Sequence, residues 1–183
     1  MIRVAILSLL LLAACSTAPV VLQRAPGADT PFAFNGRIAI RQGARRDSAG
    51  MRWMHRDGAD EVLLLSPLGQ TVALISRDAE QATLETDGKR YVAQDAEMLM
   101  QQVLGWRLPL SGLRHWVTAI PAPGTVYGRE LDANGQVSVL RQQGWTIRYS
   151  RYAASGAEAL PLRLSLQREG VEVRLLIDEW EAQ

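Results

Sequence analysis

The sequence is poor in the residues that build metal, redox and catalytic sites. It contains one cysteine and two histidines in 183 residues. A single cysteine excludes an intramolecular disulfide, so the fold depends on packing alone. A zinc site would need mostly carboxylate ligands, and no nucleophile elbow, phosphate-binding loop or metal-ligand spacing occurs. We therefore expect no catalytic residue, no metal and no cofactor.

The remaining candidates for chemistry are weak. His55 lies on the apolar face of a predicted strand and His115 in a short predicted helix. We expect both to be structural histidines with hydrogen-bond partners, because isolated histidines are more often structural than catalytic. A hydrolase would need Ser66 or Ser111 to meet a histidine and an acid in space, and their spacing does not favour this.

Excess charge of either sign is also lacking. The chain has 20 basic and 19 acidic residues, and removal of residues 1–14 takes Arg3 with it, leaving 19 of each. A protein that binds nucleic acid usually carries a clear basic excess. We therefore expect no nucleic-acid partner.

The N-terminus has the pattern of a cleaved signal peptide. Arg3 precedes an apolar run over residues 4–14, which is shorter than the ~20 residues that span a bilayer. The run ends in Leu12-Ala13-Ala14-Cys15, which resembles the bacterial lipobox. The resemblance implies cleavage after residue 14 and lipid attachment at Cys15. Ser16 stands where an aspartate would resemble the inner-membrane retention signal, so we expect the outer membrane.

Residues 15–31 form the predicted lipidated N-terminus and tether. Three prolines and no clear hydrophobic period favour an irregular segment. A short helix around residues 20–24 is the alternative.

Residues 32–183 show the alternation of a β protein. Eleven segments alternate between apolar and polar residues with period two, and Asp57-Gly58, Asp87-Gly88 and Asn134-Gly135 are hairpin turn signals. Short connections predict an antiparallel meander, and one polar face per strand predicts a curved sheet or a barrel. We expect an incomplete antiparallel β-barrel of about eleven strands, mainly β with a helical lid (an α+β protein).

The lid is the segment near residues 95–119, where the hydrophobic period changes to that of a helix. Asp95 is the predicted cap of a helix over residues 96–104, and Gly105 its stop. Ser111 is the predicted cap of a second helix over residues 112–119. These helices are placed either to cover one face of the sheet or to plug the opening of a barrel.

Five tryptophans against two phenylalanines are an unusual ratio. They predict either an ordinary core or a wide apolar cavity between sheet and lid. The residues alone leave both possibilities open.

The turn between two apolar runs, Ser66-Pro67-Leu68-Gly69, places a leucine at a hairpin tip. Pro67 and Gly69 suit a β-turn, whereas Leu68 does not. Leu68 either folds back onto its hairpin or is held out to meet an apolar partner.

Taken together, these stretches resemble the LolB family of outer-membrane lipoprotein receptors over nearly the whole mature chain. The resemblance rests on the order and spacing of several stretches: residues 12–15, 34–40, 66–71, Tyr91 with 95–97, 104–110, 113–116, 144–145, 160–161 and 177–180. It implies a LolA/LolB-like half-barrel with a helical lid and a function without bond chemistry. A lipid-anchored monomer facing the periplasm would accept lipoproteins from the carrier LolA and insert them into the inner leaflet of the outer membrane.

The resemblance also implies a membrane-insertion loop at the hairpin tip, and the apolar residues of the predicted strands and lid supply a candidate acyl-chain cavity. The insertion loop is Pro67, Leu68 and Gly69. The candidate acyl-chain cavity is formed by apolar residues of strands and lid: Phe34, Ile38, Ile40, Met51, Trp53, Leu99, Val103, Trp106, Leu113, Trp116, Trp145 and Ile147. Two alternatives are an envelope lipoprotein that binds a protein partner through its sheet, and a lipid-modifying enzyme.

Overall fold

The computed structural model describes residues 29–182. The predicted signal peptide, Cys15 and the tether up to residue 28 lie outside the described residues. The strands are β1 (Phe32–Gln42), β2 (Arg45–Arg56), β3 (Ala59–Leu65), β4 (Thr71–Arg77), β5 (Ala82–Thr86), β6 (Lys89–Ala93), β7 (Tyr127–Leu131), β8 (Val137–Gln142), β9 (Trp145–Tyr152), β10 (Pro161–Arg168) and β11 (Val171–Trp180). The helices α1 (Ala96–Leu104) and α2 (Leu110–Trp116) lie between β6 and β7.

One antiparallel sheet contains all eleven strands, in the order β6-β5-β4-β3-β2-β1-β11-β10-β9-β8-β7. The first and last long strands, β1 and β11, pair at its centre, and every other neighbour follows along the chain. The edge strands β6 and β7 do not pair with each other, so the sheet remains open. The prediction of an incomplete antiparallel barrel of eleven strands is confirmed.

The turn dipeptides account for much of this order. Asp57 and Gly58 both have positive φ, as do Asp87 and Gly88. Two consecutive residues in the left-handed region make the two-residue turn whose twist matches that of the flanking strands. The hairpins β2–β3 and β5–β6 therefore form where the sequence predicts them.

Helix α1 begins and ends as the sequence predicts. The Asp95 side chain accepts hydrogen bonds from the backbone N–H groups of Glu97 and Met98, and Gly105 ends the helix in the left-handed conformation. Helix α1 packs on β5 and β6.

The prediction that Ser111 caps the second helix was wrong. Helix α2 begins at Leu110, after Pro109, and its N-cap makes no side-chain hydrogen bond. The Ser111 hydroxyl instead donates to Oε1 of Glu97 on α1, and this contact joins the two lid helices. The helix also ends at Trp116, before the predicted residue 119.

The core lies between the inner face of the sheet and the two helices. Alternate residues of each strand face inward, and together with the lid side chains they make one buried apolar cluster drawn from residues 32–180. Every residue of this cluster lies within residues 32–180, so residues 16–183 retain the whole apolar core. Within residues 29–182, no helix is long and apolar enough to span a membrane.

Candidate functional site

The loop between β3 and β4 holds Leu68 away from the protein. The backbone N–H of Gly69 donates to Ser66 O over 2.9 Å, and that of Ser66 donates to Gln70 O over 2.8 Å. The Ser66 hydroxyl also accepts a hydrogen bond from the backbone N–H of Gln70. Within this ordered turn the Leu68 residue is 87% exposed. The leucine therefore projects into solvent from a well-bonded loop.

The neighbourhood of Leu68 is apolar too. Pro67 precedes it, and Val72 at the start of β4 is among the large apolar residues that the structure leaves exposed. Leu64, on the strand that enters the loop, is fully buried. The same hairpin thus has one end in the core and an apolar tip in solvent. Exposed apolar clusters of this kind often mark surfaces that meet a protein or a membrane.

All twelve predicted cavity residues lie in one apolar interior. Eleven of them are buried core residues, and Val103 is a partly buried residue packed against the same cluster. Their side chains come from the centre of the sheet, from β9, from both lid helices and from the segment between these helices. The interior is closed in this conformation, because even Trp106, the most exposed of the eleven, is only 8% exposed.

Three polar links join the lid to the sheet. Nε1 of Trp116 donates to Oε1 of Gln142 on β8 over 2.8 Å, and the Tyr149 hydroxyl on β9 donates to the Trp116 carbonyl. On the other side, Nε1 of Trp106 donates to Oδ2 of Asp47 on β2 over 3.2 Å. The lid is therefore fastened to both halves of the sheet by hydrogen bonds whose donors or acceptors are tryptophans of the interior.

A fourth link closes the same corner as Trp106. Arg45, at the start of β2, donates to the carbonyl of Leu104 at the end of α1 over 2.9 Å. That carbonyl belongs to the last turn of a helix, where carbonyls lack partners within the helix. The corner formed by Arg45, Asp47, Leu104 and Trp106 is held by these polar contacts at the rim in addition to the packing of the Trp106 ring.

Sequence reasoning missed a buried polar network at the other end of the sheet. His55 lies between two carboxylates, with Nδ1 2.8 Å from Oδ1 of Asp60 and Nε2 2.8 Å from Oδ1 of Asp29. Trp53 donates to the same Asp60 carboxylate, and Arg77 donates to its other oxygen. A signal for half of this network exists in the sequence, because residues 55 and 60 pair directly across the Asp57-Gly58 turn.

The contacts in this network shift the pKa values of His55 and Asp60 in opposite directions. Burial lowers the pKa of His55, but the hydrogen bonds and charges of Asp60 and Asp29 outweigh burial and raise it overall. Burial raises the pKa of Asp60, but hydrogen bonds from His55 and Arg77 outweigh burial and lower it. The expectation that His55 is a structural histidine is consistent with these partners. Its contact with Asp29 fixes the end of the predicted tether to the sheet.

His115, the second histidine, is buried in α2 and accepts a hydrogen bond from Nε of Arg114. Burial and the neighbouring Arg114 charge lower the pKa of His115. Among residues 29–182 no three histidine, cysteine or acidic side chains are grouped closely enough to hold a metal ion.

We call the contact between Asp29 and His55 the tether anchor. The tether anchor and the Leu68 loop lie at opposite ends of β3. Ala59 pairs with Arg56 at one end and Leu65 with Gly50 at the other. Ala59 and Leu65 are six residue steps apart, which corresponds to about 20 Å along the strand. The chain therefore enters the sheet about 20 Å from the exposed leucine.

The architecture has a counterpart among solved structures. A domain described as an outer-membrane lipoprotein-sorting protein from Vibrio parahaemolyticus superposes with a TM-score of 0.54 at 9% identity, covering 86% of this chain and 87% of that one. At this identity the likeness concerns the fold alone. The fold class is therefore an open antiparallel barrel with a helical lid over an apolar interior, as in that lipoprotein-sorting domain.

Sequence comparisons identify the family within that class. The family model described as "Outer membrane lipoprotein LolB" matches residues 30–180. An outer-membrane lipoprotein LolB from Nitrosomonas europaea is 43% identical over 166 residues, covering 89% of this chain and 78% of the relative. Another LolB from Chromobacterium violaceum is 41% identical over 183 residues, covering 98% of both chains. The chain belongs to the LolB family of outer-membrane lipoproteins.

Proposed function

We propose that this chain is a lipid-anchored receptor that accepts lipoproteins from the periplasmic carrier LolA and inserts them into the inner leaflet of the outer membrane. The anchor is the lipidated Cys15, and the domain faces the periplasm as a monomer. The observation that carries the proposal is the pairing of a lidded apolar interior with an exposed leucine on an ordered loop. The first feature suits an acyl chain and the second suits a membrane surface.

Transfer on this account needs no bond chemistry and no cofactor. An acyl chain moves from one apolar host to another, and each buried methylene contributes about 0.8 kcal/mol. If one host excludes water slightly better than the other, the small free-energy difference per methylene is summed over the whole acyl chain. No catalytic residue enters the proposal, because affinity alone gives the step its direction.

Uptake requires the lid to move. The twelve interior residues pack closely in the closed conformation, so an acyl chain can enter only if α1 and α2 separate from the sheet. The polar corner at Arg45 and Asp47 is the part that we expect to open first. Hydrogen bonds there lie near solvent, and water can replace them at a net cost of about 1 kcal/mol each.

The loop acts at the delivery step. A leucine that enters the hydrocarbon gains free energy, whereas a leucine in solvent gains nothing. Residues 16–28 can span up to about 45 Å when extended. This reach exceeds the ~20 Å between the tether anchor and the loop, so the lipid anchor and Leu68 can meet one bilayer.

A transfer assay tests this function. Purified residues 16–183 would be mixed with a carrier loaded with an acylated lipoprotein, and the receptor and the carrier would then be separated. We expect the cargo to move to the receptor. If all cargo stays with the carrier while the receptor is folded, the proposed function fails.

The closed interior favours one second candidate, an envelope lipoprotein that binds a protein partner through its sheet and takes up no lipid. This candidate predicts that a hydrophobic fluorescent probe gives no signal with residues 16–183. The receptor predicts a saturable signal that acylated cargo displaces.

A further inference from the structure

The outer face of the sheet contains a groove that the proposed function does not use. Its volume is about 680 Å³, and it crosses β1, β2, β9, β10 and β11. The lining contains three arginines and three serines, no acidic residue, and otherwise apolar residues or glycine. The lining residues are Arg37, Ile38, Ala39, Ser48, Ala49, Gly50, Pro67, Ser150, Arg163, Leu164, Ser165, Arg174, Leu175 and Leu176. The presence of Pro67 makes the groove continuous with the insertion loop.

The strand register arranges the polar and apolar groups within the groove. Leu176 pairs with Arg37 on one side and with Arg163 on the other, so an apolar residue stands between two arginines. Along the next row Arg174 pairs with Ala39 and with Ser165. Positive charge and hydroxyl groups therefore surround a small apolar strip.

These arginines retain free donors. Arg37 gives Nε and one terminal nitrogen to Asp178, and Arg174 gives Nε to Glu172. Both side chains remain more than half exposed. Among the ion pairs of residues 29–182, none includes Arg163. Asp178 and Glu172 offset the charges of Arg37 and Arg174, so Arg163 supplies the positive charge of the groove that no ion pair compensates.

We propose that the groove binds the phosphate of an anionic phospholipid at the membrane surface. Guanidinium groups and hydroxyls are the usual donors to phosphate oxygens, and the apolar strip fits the glycerol and first methylenes beneath the phosphate. The groove begins at the loop that carries Leu68, so a leucine in the hydrocarbon places the arginines at headgroup level.

The choice of a lipid over an acidic protein follows from this continuity. An anionic lipid matches the groove in three ways: its phosphate fits the charge, its glycerol and first methylenes fit the apolar strip, and the surrounding hydrocarbon fits the neighbouring apolar loop tip. The inference rests on the proposed function in one respect only, namely that the loop meets a membrane. It adds a headgroup site that orients the domain on the bilayer.

Vesicle binding tests the proposal. Residues 16–183 would be sedimented with vesicles of phosphatidylcholine alone and of phosphatidylcholine with phosphatidylglycerol. We expect Arg163→Gln to weaken binding to the anionic vesicles about fivefold and to leave binding to neutral vesicles unchanged. The matched control is Arg56→Gln, which removes the same charge beside the Asp57-Gly58 turn at the far end of β2 and should have no effect.

Two results would contradict the proposed phosphate site in the groove. Equal losses for Arg56→Gln and Arg163→Gln would mean that overall charge, rather than the groove, attracts the vesicles. Loss of carrier binding by Arg163→Gln with vesicle binding intact would assign the groove to a protein partner. The transfer assay with the unmodified chain is independent of both results, so failure of the receptor function is distinguishable from failure of the groove.

Discussion

Nε1 of Trp106 donates a hydrogen bond to the carboxylate of Asp47 over 3.2 Å and thereby joins the segment after α1 to the first hairpin of the sheet. Trp106 packs its ring against the interior while its N–H reaches the rim. Asp47 also contacts Arg45, whose guanidinium reaches the end of α1. Trp106 thus contributes its ring to the apolar interior and its N–H group to the hydrogen bond that holds the lid closed.

Trp106→Phe should loosen the lid. The variant keeps an aromatic ring in the interior but removes the hydrogen bond, which contributes about 1 kcal/mol. We expect a hydrophobic fluorescent probe to enter about fivefold faster, as measured by stopped-flow fluorescence. Trp180→Phe is the control, because Trp180 donates to the carbonyl of Pro161 away from the lid and its loss should leave the entry rate unchanged.

Leu68→Glu should separate uptake from delivery. The side chain is exposed, so the free energy of unfolding should change by no more than about 0.5 kcal/mol. Cargo uptake from the carrier should persist, whereas delivery to vesicles should fall, because a carboxylate resists entry into hydrocarbon. Val126→Glu, at a residue 94% exposed and outside the loop, is the control. Equal loss of uptake and delivery would contradict a separate insertion step.

Gly112→Ala should destabilise the protein although alanine normally favours a helix. A Cβ at this position would lie 2.5 Å from the ring of Trp116 in the same helix. The ring is fully buried and bonded to Gln142, so it has no room to yield. We expect a loss of about 2 kcal/mol in urea unfolding, as for other overpacked cores. Gly128→Ala, where nothing lies within 4 Å, should be close to neutral.

The His55 network should make stability depend on pH. A histidine whose folded pKa is raised stabilises the fold fully below its ordinary value of about 6.5, and this contribution is lost as pH rises through the folded pKa. Asp29→Asn removes one of the charges that raise the pKa of His55. Its cost in unfolding free energy should therefore be larger near pH 6 than near pH 8.

The groups around the His55 imidazole support a larger cost of Asp29→Asn near pH 6 than near pH 8. Burial raises the pKa of Asp60, but the hydrogen bonds from His55 and Arg77 outweigh burial and lower it. The charge of His55 also contributes to the lowered pKa of His115, whose largest cause is burial. Removal of the Asp29 charge lowers the pKa of His115 further, which adds to the cost at low pH. Glu80→Gln, an exposed carboxylate outside the network, should show the same cost at both pH values.

The sequence predicts the order of the strands well because the information is local. Asp57-Gly58 and Asp87-Gly88 adopt the positive φ values that two-residue hairpins require, and the alternation of apolar residues determines which face is buried. The exposed position of Leu68 is predictable only as one of two possibilities, because a turn sequence does not reveal which way its tip points.

Contacts between distant parts of the chain were harder to predict. Ser111 resembles a helix cap, but Glu97 on the neighbouring helix takes its hydroxyl. Asp60 is predictable as the partner of His55 from the hairpin register, whereas Asp29, 26 residues away, is not. Closure of the lid likewise depends on the pairing of Trp106 with Asp47, 59 residues apart.

The most direct measurement is to locate the cargo acyl chain by photo-crosslinking from α1. A photoreactive amino acid would replace either Val103, which packs against the interior, or Met98, which is 58% exposed on the same helix. After transfer of an acylated lipoprotein from its carrier, the account predicts crosslinks to the acyl chain from position 103 and none from position 98. Crosslinks from position 98 alone, or from neither position despite transfer, would contradict an acyl-chain site between lid and sheet.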